Sequence, residues 1–169
     1  MSCSADALRY LRVKGIPDEQ TVADIDRHLA WIEANIDPRC VLKKFPRSVL
    51  PPSVSLDKYV GDDTCIYLLA ATLGAAADAR LRTLEAWSMS DAAVFDACAS
   101  AYIEQVCDKV FAGARFAPGY GDLPLSWQAE LCKLLETPKR IGLTVTDSFI
   151  LLPMKSITSV IAPHRGRFL

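Results

Sequence analysis

Eight consecutive residues carry the densest chemistry in the chain: Arg115-Phe116-Ala117-Pro118-Gly119-Tyr120-Gly121-Asp122. Arg115 is a permanent cation whose planar fork of donors matches a carboxylate or a phosphate. Tyr120 offers a flat ring face for a base or a cation, and a hydroxyl. Pro118 fixes one backbone angle and Gly119 permits angles closed to other residues, so the stretch is a shaped loop rather than a helix or a long strand. Such a set would suit a small ligand bearing a carboxylate, an adenine and a positive centre. The same residues also describe an ordinary Pro-Gly turn beside a solvated arginine. On these eight alone, that plainer reading is favoured.

The elements that must position this loop are legible as patterns. Ala5 to Val13 forms a short helix or turn ended by Gly15. Val22, Ile25, Leu29, Ile32 and Ile36 recur at three- and four-residue steps, which predicts a helix over 18–36 that starts on acidic residues and stops at Asp37-Pro38. His28 lies beside this stripe and reads as a surface or core-edge residue, not a metal ligand. Cys40 to Phe45 reads as a strand, and Ser48 to Asp63, rich in proline, serine and aspartate, as a connection. The unbroken apolar run Cys65 to Ala71 is the pattern of a strand buried on both faces. Gly74 turns it into a helix over 75–87; a phosphate site at that turn has only one glycine in its favour.

Ser88 and Asp91 have capping-box spacing. Behind them Ala92, Phe95, Ala99, Tyr102, Val106 and Val110 mark a second helical stripe, flanked by alanines that allow close packing, and this is the central helix. Glu104 lies on it, either as an exposed acid or as part of the wall of a ligand pocket, with the exposed acid slightly favoured. After the loop, Asp122 can cap the next helix and Pro124 suits its first turn. Trp127, Leu131, Leu134 and Leu135 form that helix's buried face, and Thr137-Pro138 ends it. Ile141 to Val145 reads as a strand broken by Thr146-Asp147-Ser148, and Ser156 to Ile161 as the last strand. The basic residues from Pro163 to Leu169 are expected to be loose. Helices and strands mix without regular alternation, which argues for an α+β fold.

Composition removes several function classes. At 169 residues with 51% hydrophobic content the chain can build a real core as one domain. The net charge of −1, with no long run of one sign, lacks the footprint of a general nucleic-acid binder. Six cysteines include no Cys-x-x-Cys pair, so zinc or iron–sulfur ligation has little support. With no secretory leader and no bilayer-length apolar run expected, free thiols in a cytoplasmic protein is the plain expectation. No Gly-x-Gly-x-x-Gly is present, which counts against an ordinary small-molecule methyltransferase.

In Arg115 to Asp122, then Leu123-Pro124-Leu125, then Leu143-Thr144-Val145-Thr146-Asp147-Ser148, Pro153 and Lys155-Ser156-Ile157, the chain resembles the activation domain of cobalamin-dependent methionine synthase. It is most similar to the small free-standing proteins built like that domain, which typically read Arg-Phe-Ser-Pro-Gly-Tyr-Gly-Asp. Weaker matches reach upstream to Leu8-Arg9-Tyr10-Leu11, Pro17-Asp18-Glu19, Phe45-Pro46 and Leu68 to Gly74, so the likeness covers nearly the whole chain in order.

The resemblance implies a mixed sheet packed against long helices, divided as residues 1–62 (helix, strand and connection), 63–162 (the core with the ligand loop) and 163–169 (the tail). It implies binding of S-adenosylmethionine, with Arg115 on the ligand carboxylate, Ala117 and Gly119 supplying backbone groups, and Tyr120 packing near the sulfonium or adenosine. Glu104 recurs among the free-standing relatives. Asp147 stands where they carry Glu, and the link Lys109 to Ala114 is shorter than theirs. The implied activity is reductive methylation. Oxidised, inactive cob(II)alamin on a partner protein takes one electron from a donor such as flavodoxin or ferredoxin and a methyl group from S-adenosylmethionine. The partner would be the cobalamin-binding domain of methionine synthase or another corrinoid protein, met in trans. No general base is needed, because the leaving group is good and reduced cobalt is itself a strong nucleophile, so the protein's part is positioning. A different class of reading is a non-catalytic partner that recognises a corrinoid protein without binding S-adenosylmethionine.

Overall fold

The computed structural model describes residues 3–169. Its first layer is built from the helical stripes. Helix α1 runs Cys3–Tyr10 and α2 runs Glu19–Asn35, the latter opened by Asp18, whose carboxylate accepts from Thr21 N at 2.7 Å. Helix α4 (Ala75–Trp87) starts at Gly74, whose φ of +80° suits glycine, and α5 (Met89–Asp108) starts at Ser88, whose hydroxyl accepts from Asp91 N at 3.2 Å. Helix α5 is buried on most of its circumference by Ala92, Phe95, Cys98, Ala99, Ala101, Ile103 and Cys107, which makes it the central helix. His28 of α2 is buried against the edge of the Phe95 ring, with Nε2 3.5 Å from Asp91.

The sheet divides the molecule. Strand β1 (Arg39–Pro46) pairs with β2 (Cys65–Thr72), and β2 pairs with β6 (Ser156–Ile161). Side chains alternate across a strand, and on β2 this separates two cores. Leu69 and Ala71 face the layer of α1, α2, α4 and α5, whereas Ile66, Leu68 and Ala70 face the opposite side. That second side is filled by α3 (Val54–Val60), α6 (Trp127–Leu135) and α7 (Thr137–Ile141), through Leu56, Val60, Trp127, Leu131, Leu135 and Ile141. The α+β class is as expected. The sheet is antiparallel at each pairing rather than mixed, because the connection leaves β1 at Pro46 and enters β2 at its direct partner Cys65, on the same edge.

Four local expectations need correction. The connection over 48–63 contains α3, a single amphipathic turn pair too short for periodicity to reveal. Thr137-Pro138 does not end helical structure; it opens α7, with Pro138 in the first turn where its missing N–H costs nothing. Ile141 therefore closes a helix, and the strand after it is only β4 (Thr144–Val145), paired with β5 (Leu151–Leu152). The terminal segment is not loose: β7 (Gly166–Phe168) pairs with β3 (Phe111–Gly113), which occupies the short link before Arg115. Gly113 and Gly166 face each other so closely that a Cβ on Gly166 would lie 2.4 Å from Ala112 O. Among the described residues, no helix is long and apolar enough to cross a membrane.

Candidate functional site

The loop 115–122 lies between the two layers and is held at both ends. Just after its start, Phe116 exchanges backbone hydrogen bonds with Val160 of β6 at 2.9 and 2.7 Å, which lays this part of the loop along the sheet edge. The buried Phe116 ring packs against Tyr59 at 5.3 Å and edge-on against Tyr120 at 5.3 Å. Gly119 has φ +87° and donates to Leu123 O at 2.9 Å, and Tyr120 N donates to Ala117 O at 3.2 Å. These bonds use the Gly119 amide and the Ala117 carbonyl inside the turn. The Ala117 amide and the Gly119 carbonyl make no intrachain bond among the described residues.

The far end of the loop does something the sequence reading did not foresee. Asp122 does not cap the helix that follows it. Its carboxylate accepts from Ser53 Oγ at 2.6 Å, Val54 N at 2.7 Å and Ser55 N at 2.9 Å, and so caps the N-terminus of α3, almost seventy positions earlier. The Ser53 hydroxyl and the two amides hold the Asp122 carboxyl well below the usual carboxylate range. Gly121, at φ +58°, lets the chain pass so close that a Cβ there would be 2.6 Å from Ser55 Oγ.

At the near end, Arg115 donates to Glu104 at 2.5 Å, to Asp108 at 2.7 Å and to Phe111 O at 3.2 Å. Its side chain is only 12% exposed. Burial alone would lower the pKa of this arginine, but Asp108, Cys107 and Glu104 carry it above its ordinary value. Three of the five guanidinium N–H groups are thus engaged and two remain. Next to it opens a pocket of about 390 Å³ lined by Ser55, Lys58, Tyr59, Arg115, Tyr120 and Arg165, together with Ala114 and Phe116. Tyr59 is its hub. The Tyr59 hydroxyl donates to Ala114 O at 2.6 Å and accepts from Ala162 N at 3.2 Å, and burial pushes this phenol's pKa up. Arg165 lies over the Tyr59 ring at 5.5 Å and donates to Tyr59 O and Lys58 O at 3.0 and 3.1 Å.

A family model, "Vitamin B12 dependent methionine synthase, activation domain", matches residues 66–167. This chain belongs to that family. Among solved structures, the one titled "Crystal Structure of the MetH Reactivation Domain bound to AdoHcy" is similar with a TM-score of 0.63 over 96% of this chain and 75% of that one, at 19% sequence identity. No curated protein sequence matches.

The part of this activation domain that the family model covers runs from β2 to β7 and includes the whole loop. Of the residues singled out from sequence, Arg115, Glu104 and Tyr120 are brought to one place: Glu104 bonds Arg115, and Arg115 and Tyr120 share the pocket. Ala117 and Gly119 lie in the turn between them. Asp147 is not brought there. It is exposed in the turn between β4 and β5, makes no hydrogen bond or ion pair among the described residues, and does not line that pocket. Four residues of the site went unnoticed in the sequence. Asp108 is one helical turn beyond Glu104, a spacing that could have flagged it as a second acid on the same face. Lys58, Tyr59 and Arg165 sit in segments that read as a connection and a loose tail, and nothing local marks them.

Proposed function

We propose that this activation domain binds S-adenosylmethionine in the pocket beside Arg115 and serves the reductive methylation of a cobalamin carried in trans by methionine synthase or another corrinoid protein, in the cytoplasm. The observation that carries the reading is the joining of an arginine and two acids to an aromatic-walled pocket of about 390 Å³, within the size range of small-molecule sites. The residues fit the ligand. Tyr59, Phe116 and Tyr120 offer ring surface to a base or a sulfonium, while Glu104 and Asp108 bond Arg115 without lining the pocket themselves. Arg115 orients the two acids and keeps two N–H groups for the ligand. The Ala117 amide and Gly119 carbonyl add a backbone donor and acceptor. Asp147 would enter only if its turn swung toward the loop. That a solved relative of the same fold is titled as bound to AdoHcy supports the assignment.

The ligand supplies the methyl group and the partner's reduced cobalt the electron pair that takes it. The domain contributes orientation, holding the sulfonium methyl toward solvent where a docked partner can reach it, and needs no proton transfer. The electron would come from an external donor such as flavodoxin or ferredoxin.

Calorimetric titration with S-adenosylmethionine tests the reading. Saturable binding is expected, weakened on the order of tenfold or more in Arg115→Ala, because a charge-assisted hydrogen bond and the setting of two acids are lost together. Arg115→Lys, which preserves the charge among the acids, separates lost binding from lost folding. Binding equal to wild type in both variants would show the pocket to be misassigned. A second reading draws on the same cluster: since Glu104 and Asp108 already satisfy Arg115 within the chain, the loop can hold its shape as a partner-recognition surface with no ligand. Complex formation with a corrinoid protein that S-adenosylmethionine neither strengthens nor weakens would favour it.

A further inference from the structure

Arg115 is gripped from outside the pocket that it lines. Nη1 makes two hydrogen bonds, to Asp108 at 2.7 Å and to Phe111 O at 3.2 Å, which fill its two N–H groups, and one N–H of Nη2 goes to Glu104. The donors left are on Nε and Nη2, the two nitrogens of one edge of the planar fork, and such an edge meets a carboxylate with two parallel hydrogen bonds. Arg115 borders the pocket together with Tyr59 and Tyr120, whereas Asp108 borders a separate hollow with Gln105, Lys109, Ala112 and Gly113. Asp108 also stands where an acid is unfavourable. It is the last residue of α5, at the negative end of the helix, and the last turn holds no basic residue. Its side chain is 59% exposed, and Arg115 is its one side-chain partner among the described residues. The two meet because the link over 109–114 is short, with seven positions between them. That same link holds β3, whose first residue, Phe111, supplies the other anchor of Nη1.

We infer that Asp108 is a positioning residue for ligand binding: it holds the Nη1 end of Arg115 so that the Nε and Nη2 edge stays aimed at the ligand's carboxylate. This rests on the S-adenosylmethionine reading above and deepens it. The physical reason is entropy. A free arginine side chain spreads over many rotamers, and a carboxylate that captures it must stop that motion. With three N–H groups tied in the folded chain, that loss has already been taken, and the ligand meets a donor pair in its final place. Because Asp108 does not line the pocket, it does this without occupying the edge that the ligand needs. The two acids differ in this respect. Glu104 shares Nη2 with the ligand's edge, whereas Asp108 touches only the end that the ligand leaves free. The assignment also gives the β3–β7 pairing a role at the site, since it fixes the strand that carries Phe111 O.

The test compares S-adenosylmethionine with decarboxylated S-adenosylmethionine, which keeps the sulfonium, the ammonium and the adenosine and lacks only the carboxylate. Dissociation constants for both are measured calorimetrically on wild type, Asp108→Ala and Asp108→Asn. Wild type is expected to prefer the carboxylate form by on the order of tenfold or more, the weight of a charged hydrogen bond. Asp108→Ala should lower that preference by roughly threefold or more through weaker binding of S-adenosylmethionine, with affinity for the decarboxylated form changed less than about twofold. Asp108→Asn keeps an acceptor oxygen at the same reach and should retain most of the preference. Removing an acid from the negative end of α5 does not threaten folding, and a ratio of two affinities on one folded protein does not respond to a general loss of stability. An unchanged preference in Asp108→Ala would reduce the contact to an ordinary surface ion pair and overturn the inference. A preference that grew would overturn it as well, because Asp108 would then be competing with the ligand. So would an Asn variant no better than Ala, since charge rather than placement would be what Asp108 supplies. If wild type binds both compounds equally, Arg115 does not read the carboxylate and the inference fails while the ligand assignment stands. If wild type binds neither, the S-adenosylmethionine reading fails and the inference falls with it.

Discussion

The two faces of the central sheet are held together by different physics. On the face of α1, α2, α4 and α5, cohesion is apolar and local in origin: stripes at helical spacing converge on Phe95, Leu69 and Ile161, and caps at Asp18 and Ser88 start the helices from neighbouring residues. On the face of α3, α6, α7 and the loop, an apolar core exists around Leu68, Leu131 and Val160, but the segments above it are short. They are fixed by polar contacts between residues far apart in sequence: Asp122 to Ser53, Tyr59 to Ala114 and Ala162, Arg165 to Tyr59. The first face is a scaffold that depends on volume. The second is an assembly of latches, and the candidate site lies among the latches. On the function proposed above, a site that opens to a ligand and then to a partner protein is better served by the second arrangement, since local opening there need not unfold the scaffold.

Truncations on the two faces should separate accordingly. Phe95→Ala, at a fully buried position wedged between His28 and Trp31, is expected to cost about 3–5 kcal/mol and to lower the whole urea transition as one event. A similar loss confined to α5 amides, with the sheet untouched, would show that the helical layer is not one cooperative unit with the sheet. The next largest effect belongs to the terminal latch. Gly166→Ala places a Cβ against Ala112 O and the Phe111 ring, and overpacking of this kind costs about 1–3 kcal/mol. Strain can be relieved here by releasing β7, so the expected signature is early proteolytic loss of residues after Ala162 and weakened ligand binding, with the main transition little changed. A drop in the main transition without terminal cleavage would mean that β3–β7 belongs to the scaffold.

The same division explains what could be read from the sequence. Helices α2, α4 and α5 and strand β2 were legible because each repeats a local pattern over two or more turns or several strand positions. The capping role of Ser88 was legible because the cap and its recipient are three residues apart, whereas at α2 only an acidic start was read and the Asp18 cap on Thr21 N comes from the structure. Asp122 was misassigned for the converse reason: proximity in sequence suggested the following helix, and the amides that bind it belong to Val54 and Ser55. Helix α7 was missed because Thr137-Pro138 carries the same signal for a stop and for a start. The terminal residues were expected to be loose because nothing local holds Gly166–Phe168; its partner strand lies more than fifty residues back. In the site, Arg115, Glu104 and Tyr120 were found through motif resemblance, whereas Lys58, Tyr59 and Arg165 acquire their roles only when α3 and the terminal segment meet.

The smallest expected effect is also the most selective probe of the latches. The folded Asp122 carboxyl has a depressed pKa, so it contributes stability that is fully present above its unfolded value of about 3.9 and is lost as pH falls below it. Two other titrating groups invite confusion. Glu136, between Arg140 and Lys43, is held down at about 2 and acts in the same acidic window. His28 is different: burial lowers its pKa, so the unfolded chain takes up its proton first and stability declines below the ordinary histidine value of about 6.5, well before the carboxylates titrate. Asp122→Asn should therefore leave the decline near pH 6 unchanged and reduce only the further loss between pH 4 and lower values. Hydrogen exchange at neutral pH localises the effect. In Asp122→Asn the amides of Val54, Ser55 and Leu56 should exchange faster while those of α5 keep wild-type protection, because the cap is lost and the scaffold is not. Faster exchange throughout α5 would show that the loop's far latch is coupled to the helical layer, and that the two faces open together.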